Sequence, residues 1–207
     1  MNLDNLDDNV KQALSIVEGA WEQIFNALNL AHGLNWKEDE NFKETAKRNA
    51  KALVLERCKG INSKERCMDL LGKSFPSEYK GMIVVGPVTV HSLCPHHFEN
   101  VEYTVRIGYI PSDRCIGLSK VGRVIKLYGS QPILQETFTK NLADIFIDKI
   151  KPEGIGVWVE GRHNCMIARG LQEPGVSAIT SEIRGSFLDN LAINAEFMRL
   201  CQQKKNY

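Results

Sequence analysis

Between residues 101 and 109 the chain alternates without exception: Val101, Tyr103, Val105, Ile107 and Tyr109 are separated by Glu102, Thr104, Arg106 and Gly108. A two-residue period sends successive side chains to opposite faces, so this stretch predicts a strand with one face buried. The Val- and Ile-rich segment 82–90 just before it is its expected antiparallel partner. Helical periods surround the pair. Val10, Leu14, Val17, Trp21, Ile24, Phe25 and Leu28 recur at three- and four-residue steps, a second helix is expected over 42–56, and a short one lies between the breakers of 59–80. Beyond the strands, a helix is expected over 121–128 with Ser119 as its cap, and a longer one over 133–150 that gathers Leu134, Phe138, Leu142, Ile145 and Phe146 on one side. Ile155, Val157 and Val159 restore the strand period, a further strand is expected over 165–171, and a helix over 187–201. This order predicts an α+β fold, an antiparallel sheet with helices on one face. An N-terminal helical region, 1–75, would precede the main domain, 76–207.

A chain of 207 residues buries about 70% of its unfolded surface, so it folds without help from a metal or a disulfide. Any metal site then calls for another explanation. Lys and Arg number 26 against 25 Asp and Glu, which leaves no global field to hold nucleic acid or an anionic membrane. No apolar run approaches the roughly 18 residues of a membrane span. The acidic opening MNLDNLDDNVKQ lacks the basic and apolar regions of a signal peptide. The six cysteines are dispersed, and two sit beside histidines, a pattern of reduced thiols and metal ligation in a cytoplasmic protein.

Chemistry concentrates at Cys94-Pro95-His96-His97 and at His163-Asn164-Cys165, which hold three of the five histidines. Cys94 and His97 in a turn can converge on one point, and His163 and Cys165, two apart on a strand, would share a face. Thiolate with imidazole suits zinc best. Five candidates exceed the four that a tetrahedral ion takes, so at least one histidine is left for proton transfer. In Gly117-Leu118-Ser119-Lys120-Val121-Gly122-Arg123, free N–H groups at a helix start, a hydroxyl and two cations could cradle a phosphate. Arg169, four residues beyond Cys165 on the expected strand, could reach a ligand near the metal, and Gln135-Glu136 opens a helix whose other face is apolar.

Together, CPHHFENVEYTVRIGYIPSDRCIGLSKVGRVIKLYGSQPILQETFT and EGRHNCMIARGLQEPGVSAITSEIRGSF resemble GTP cyclohydrolase I, with four separated motifs in that family's order over residues 43–199. The resemblance implies the tunnelling fold, in which sheets of several subunits close into a barrel and two pentamers stack into a homodecamer. It also implies zinc on Cys94, His97 and Cys165, with His96 and His163 as catalytic histidines and Ser119 assisting near the ribose. Ser119, Lys120, Arg123 and Arg169 fall on the triphosphate contacts, and Gln135 and Glu136 on the guanine-recognising pair. The implied substrate is GTP, with no nucleic-acid or membrane partner. Where the family usually has Glu, this chain has Pro95, which fixes φ and removes both a carboxylate and an N–H. Tyr103-Thr104 stands where Gly-Lys is common. Two rivals are a substrate-shifted or impaired tunnelling-fold homologue acting on a purine or pterin, as in 7-deazaguanine synthesis, and a non-catalytic zinc-stabilised binding module in which His163 closes the metal site.

Overall fold

The computed structural model describes residues 6–203, which form two compact units meeting between Lys59 and Gly60. In the first, helix α1 (Asp8–His32) is capped by the Asp7 carboxylate, which accepts from the Asn9 N–H at 2.8 Å. It ends at Gly33, whose left-handed φ of 71° a side chain would resist. Phe25 is the buried residue of its apolar stripe and sits among Trp21, Trp36 and Phe42 at ring distances of 5.5–5.8 Å. Helix α2 (Thr45–Lys51) continues into a wider helical turn, Ala52–Arg57.

The second unit carries the sheet. Helix α3 (Lys64–Leu71) leads into a short strand β1 (Ser74–Pro76), then β2 (Ile83–Leu93) and β3 (Asn100–Ile110). After β4 (Arg114–Ile116), which pairs with β1, come α4 (Leu118–Gly129), α5 (Gln135–Ile150) and β5 (Gly154–His163). The chain closes with α6 (Asn164–Ile167), β6 (Ala178–Gly185), α7 (Ser186–Asp189) and α8 (Leu191–Gln202). The main sheet has the order β2-β3-β5-β6, antiparallel throughout.

The alternation in β3 is realised in full, since Val101, Tyr103, Val105, Ile107 and Tyr109 are all 0% exposed. They meet the buried sides of α4 and α5, which supply Val121, Val124, Ile125, Phe138, Leu142 and Phe146 to the same core. The two central helices therefore cover one face of the sheet, as the period requires. At one end of the opposite face, Phe187 of α7 and Phe197 of α8 pack with Ile110 and Trp158 in a smaller core. Gly156 makes that contact possible, because a Cβ there would lie 2.6 Å from the Phe197 ring.

Two local expectations are corrected. Helix α4 starts at Leu118 with Gly117 at its cap and no side-chain capping bond, so Ser119 lies inside the first turn. Residues 165–171 are not a strand: Asn164–Ile167 is one helical turn, and the last strand begins at Ala178. Gly170, Pro174 and Gly175 interrupt the intervening segment, and such residues favour turns over a ladder.

Candidate active site

Strand β2 delivers Cys94 to one end of the sheet, and a tight connection returns the chain to β3. Two backbone bonds close it: Phe98 N–H donates to Cys94 O, and Cys94 N–H to Glu99 O, each at 2.8 Å. Phe98 takes a left-handed φ of 58°. Pro95 lacks an N–H, and neither bond asks for one at that position. His163 ends β5 opposite Val101, which itself lies opposite Ser92 of β2, so Cys94 and His163 reach the same end of the sheet. The turn of α6 then swings Cys165 toward Cys94.

The potential ligand atoms of Cys94, His97 and Cys165 all lie within 4.8 Å of one another, with the two sulfurs 3.9 Å apart. Cys94 is buried and His97 exposed. Burial and the neighbouring Cys94 thiol raise the Cys165 pKa, against a lowering effect of the Arg169 guanidinium. His96 approaches from the same turn, with Nδ1 3.8 Å from Cys94 Sγ.

The start of α5 completes the cleft. Residues 131–133 lie along the end of β2, where Ile133 N–H donates to Leu93 O at 3.2 Å. That contact brings Gln135 and Glu136 to a cleft of ≈ 320 Å³ which also holds Cys94, His96, His97 and His163. Glu136 makes no hydrogen bond or ion pair among the described residues, and its carboxylate lies close enough to favour the charged form of His163. Burial outweighs that effect and lowers the His163 pKa, with His96 adding to the lowering. Gln135 is 3% exposed. Its Nε2 donates toward Val159 O, Ala178 O and Thr180 Oγ1, and its Oε1 lies 2.9 Å from His163 Nε2.

Three participants were missed in the sequence. Tyr103 stacks on Phe138 at 5.0 Å and meets the His163 ring edge-on at 6.0 Å. Thr139 and Thr180 bond to each other beneath Gln135. Tyr103 was visible as a β3 core position, and its cross-strand partner is Gly161, a pairing that seats a large ring over a residue without a side chain. Nothing in the spacing marked the threonines.

The residues expected to cradle a phosphate lie elsewhere within the single chain. Ser119 and Arg123 line a separate cleft of ≈ 540 Å³ with Thr89 and Lys126, and Lys120 lines another with Arg66 and Lys73. Gly122 sits against Val88. From Val88 to Cys94 is six residues of β2, on the order of 20 Å at the rise of a strand. Arg169 lies on the exposed turn after α6, not on a strand face.

The sheet and its helices define an antiparallel α+β protein, and its Cys–His–Cys group could hold a metal ion. Residues 17–202 match the model of the GTP cyclohydrolase I family. A GTP cyclohydrolase 1 of Dehalococcoides mccartyi (strain ATCC BAA-2266) is 37% identical over 169 residues, covering 81% of this chain and 88% of that protein. The Nostoc protein described as GTP cyclohydrolase 1 2 is 33% identical over 198 residues, covering 95% and 90%. The chain belongs to the GTP cyclohydrolase I family, an enzyme family of the tunnelling fold. Among solved structures, the apo archaeosine synthase QueF-Like aligns with a TM-score of 0.41 and 17% identity over 51% of this chain and 92% of that one. No helix among the described residues is long and apolar enough to cross a membrane.

Proposed function

We propose that this chain is a zinc-dependent GTP cyclohydrolase I, which opens the imidazole ring of GTP by hydrolysis, releases formate and forms 7,8-dihydroneopterin triphosphate. The observation that carries the proposal is the meeting of Cys94, His97 and Cys165 in one cleft with His96, His163 and Glu136. The donor set fits zinc. Two thiolates each about 2.3 Å from a tetrahedral ion lie roughly 3.8 Å apart, against 3.9 Å between these sulfurs. Three protein ligands leave a fourth position, where bound zinc supplies an activated water near neutral pH.

The chain's own groups supply the rest. Glu136 accepts the guanine N1–H and 2-amino hydrogens side by side, a pairing that adenine cannot offer. His163 passes a proton to the purine N7 as the ring opens, and His96 transfers protons in the later rearrangement of the ribose chain, with Ser119 assisting. With the Gln135 amide committed to β5, β6 and His163, base recognition falls to Glu136. These groups lie within 76–207, the part proposed as the catalytic domain. Ser119, Lys120, Arg123 and Arg169 hold the triphosphate. Because the Ser119 and Arg123 cleft opens about 20 Å along β2 from Cys94, a second copy of the chain is the natural source of that cradle. The outer edges of β6 and of β2 over 83–91 pair with no strand among the described residues, and a homodecamer of closed rings would remove both edges. Six free cysteines suit a reducing cytoplasm.

Incubation with GTP, assayed for formate and for a fluorescent oxidised pterin, tests the proposal. Absence of both products from zinc-loaded protein refutes it. The rival binding module needs His163 as a fourth ligand, but the group whose ligand atoms lie within 4.8 Å of one another is Cys94, His97 and Cys165, without His163. Release of the metal by His163→Ala would restore that rival.

A further inference from the structure

The hydrogen-bond network under Gln135 can be solved from its donors and acceptors. The Thr139 hydroxyl donates to Gln135 O at 2.8 Å, one helical turn back. Its single hydrogen is thereby engaged, so in the 2.6 Å contact between the two threonine hydroxyls the hydrogen comes from Thr180. Thr180 Oγ1 can then only accept from the Gln135 amide. The other neighbours of that amide end are the carbonyls of Val159 and Ala178, at 3.2 and 2.9 Å. Three acceptors surround one end of the amide, which must therefore be the NH₂ group. The carbonyl end faces His163 Nε2 at 2.9 Å. A carbonyl oxygen cannot donate, so the hydrogen in that contact sits on His163 Nε2.

We propose that Gln135 is a positioning residue that holds the neutral His163 ring in its Nε2–H form and leaves Nδ1 as the nitrogen that exchanges protons with the substrate. Gln135 acts on the histidine rather than on the purine, although the chain's motif pairs it with Glu136. The support is stiff. Gln135 is buried, its position is shaped to the absent side chain of Gly161, and the Tyr103 ring confines the imidazole from the side at 71° to its plane. The part concerning turnover rests on the GTP reading above; the tautomer does not.

Solid-state ¹⁵N NMR of the full-length protein labelled at histidine, at alkaline pH and without GTP, tests the tautomer. The His163 signals are those lost in His163→Gln. A protonated shift at Nε2 with an unprotonated one at Nδ1 is expected; the reverse pattern, or exchange between the two, overturns the proposal. Gln135→Met keeps the volume and removes the acceptor. It should lower kcat at least about 10²-fold with KM changed less than about threefold. Folded Gln135→Met with the parent's kcat also overturns it. If Gln135→Met fails to fold, the spectrum of the parent still decides. A parent that shows the Nε2–H form but releases no formate supports the tautomer and refutes the GTP reading.

Discussion

Gly161→Ala is a one-methyl perturbation whose cost can be worked from the contacts around it. Gly161 lies within β5 opposite Tyr103. A Cβ built there overlaps Gln135 Oε1 and comes within 2.9 Å of Gln135 Cδ and 3.0 Å of Tyr103 Cε1. The end of a glutamine side chain normally gives way cheaply, but this one is buried and bonded at both ends. Moving it breaks up to two donor bonds from Nε2 and the bond to His163, at about 1 kcal/mol net each, or roughly 3 kcal/mol in all. Alanine returns about 0.5–1 kcal/mol through a less flexible unfolded chain. The net loss is about 2–2.5 kcal/mol, equivalent to a fall of about 4–10 °C in Tm for a chain of this length. Thermal unfolding of zinc-loaded protein, with parent and variant at the same protein concentration, measures it. Bound zinc should remain stoichiometric, because the atoms nearest the methyl belong to Gln135 and Tyr103 and not to Cys94, His97 or Cys165. A Gly161→Ala protein within about 0.5 kcal/mol of the parent would refute the reasoning, since Gln135 would then not occupy the space that the glycine leaves.

Three further outcomes are expected. Chelation should abolish formate release and keep most of the far-UV circular dichroism, because a chain this large folds without the ion; full activity in metal-free protein would reject zinc dependence. Glu136→Ala should abolish most GTP binding without loss of zinc, and the parent should prefer GTP over ATP by at least about 10³-fold, the value of two hydrogen bonds to a charged acceptor; parent-like turnover in Glu136→Ala would move the purine elsewhere. Sedimentation should show a large ring assembly, and a stable monomer would remove the second copy that the separated cradle requires.

How far the fold could be read from the chain depended on where the physics was local. The β3 alternation and the apolar side of α5 are statements about neighbouring residues, and both survive in the buried faces of those elements, except that Leu134 caps α5 from outside and is exposed. Cys165, Ile167 and Arg169 also look like a strand when only spacing is weighed. There the chain instead makes a turn that carries Cys165 to Cys94, a partner 71 residues away. Ser119 has the right chemistry for a cap, yet α4 opens two residues earlier than such a cap would allow, at Leu118 with Gly117 as the cap. In the site, the Cys and His motifs announced themselves by spacing. The inward turn of Gln135 and the distance between Arg123 and Cys94 are set by packing of helices on the sheet, which no spacing encodes.

The connection between β2 and β3 has a consequence for how this site can vary. Its two closing bonds are donated by Cys94 and Phe98, and residue 95, which lines the cleft, takes no part as a donor. The backbone is therefore indifferent to whether position 95 carries a hydrogen on nitrogen. A side chain there can be exchanged, neutral for acidic or short for long, while the frame that presents Cys94 and His97 stays as it is. Residue 95 works as an adjustable wall beside a fixed set of ligands, so the charge at the mouth of the cleft can drift in evolution, or be altered by design, without rebuilding the hairpin.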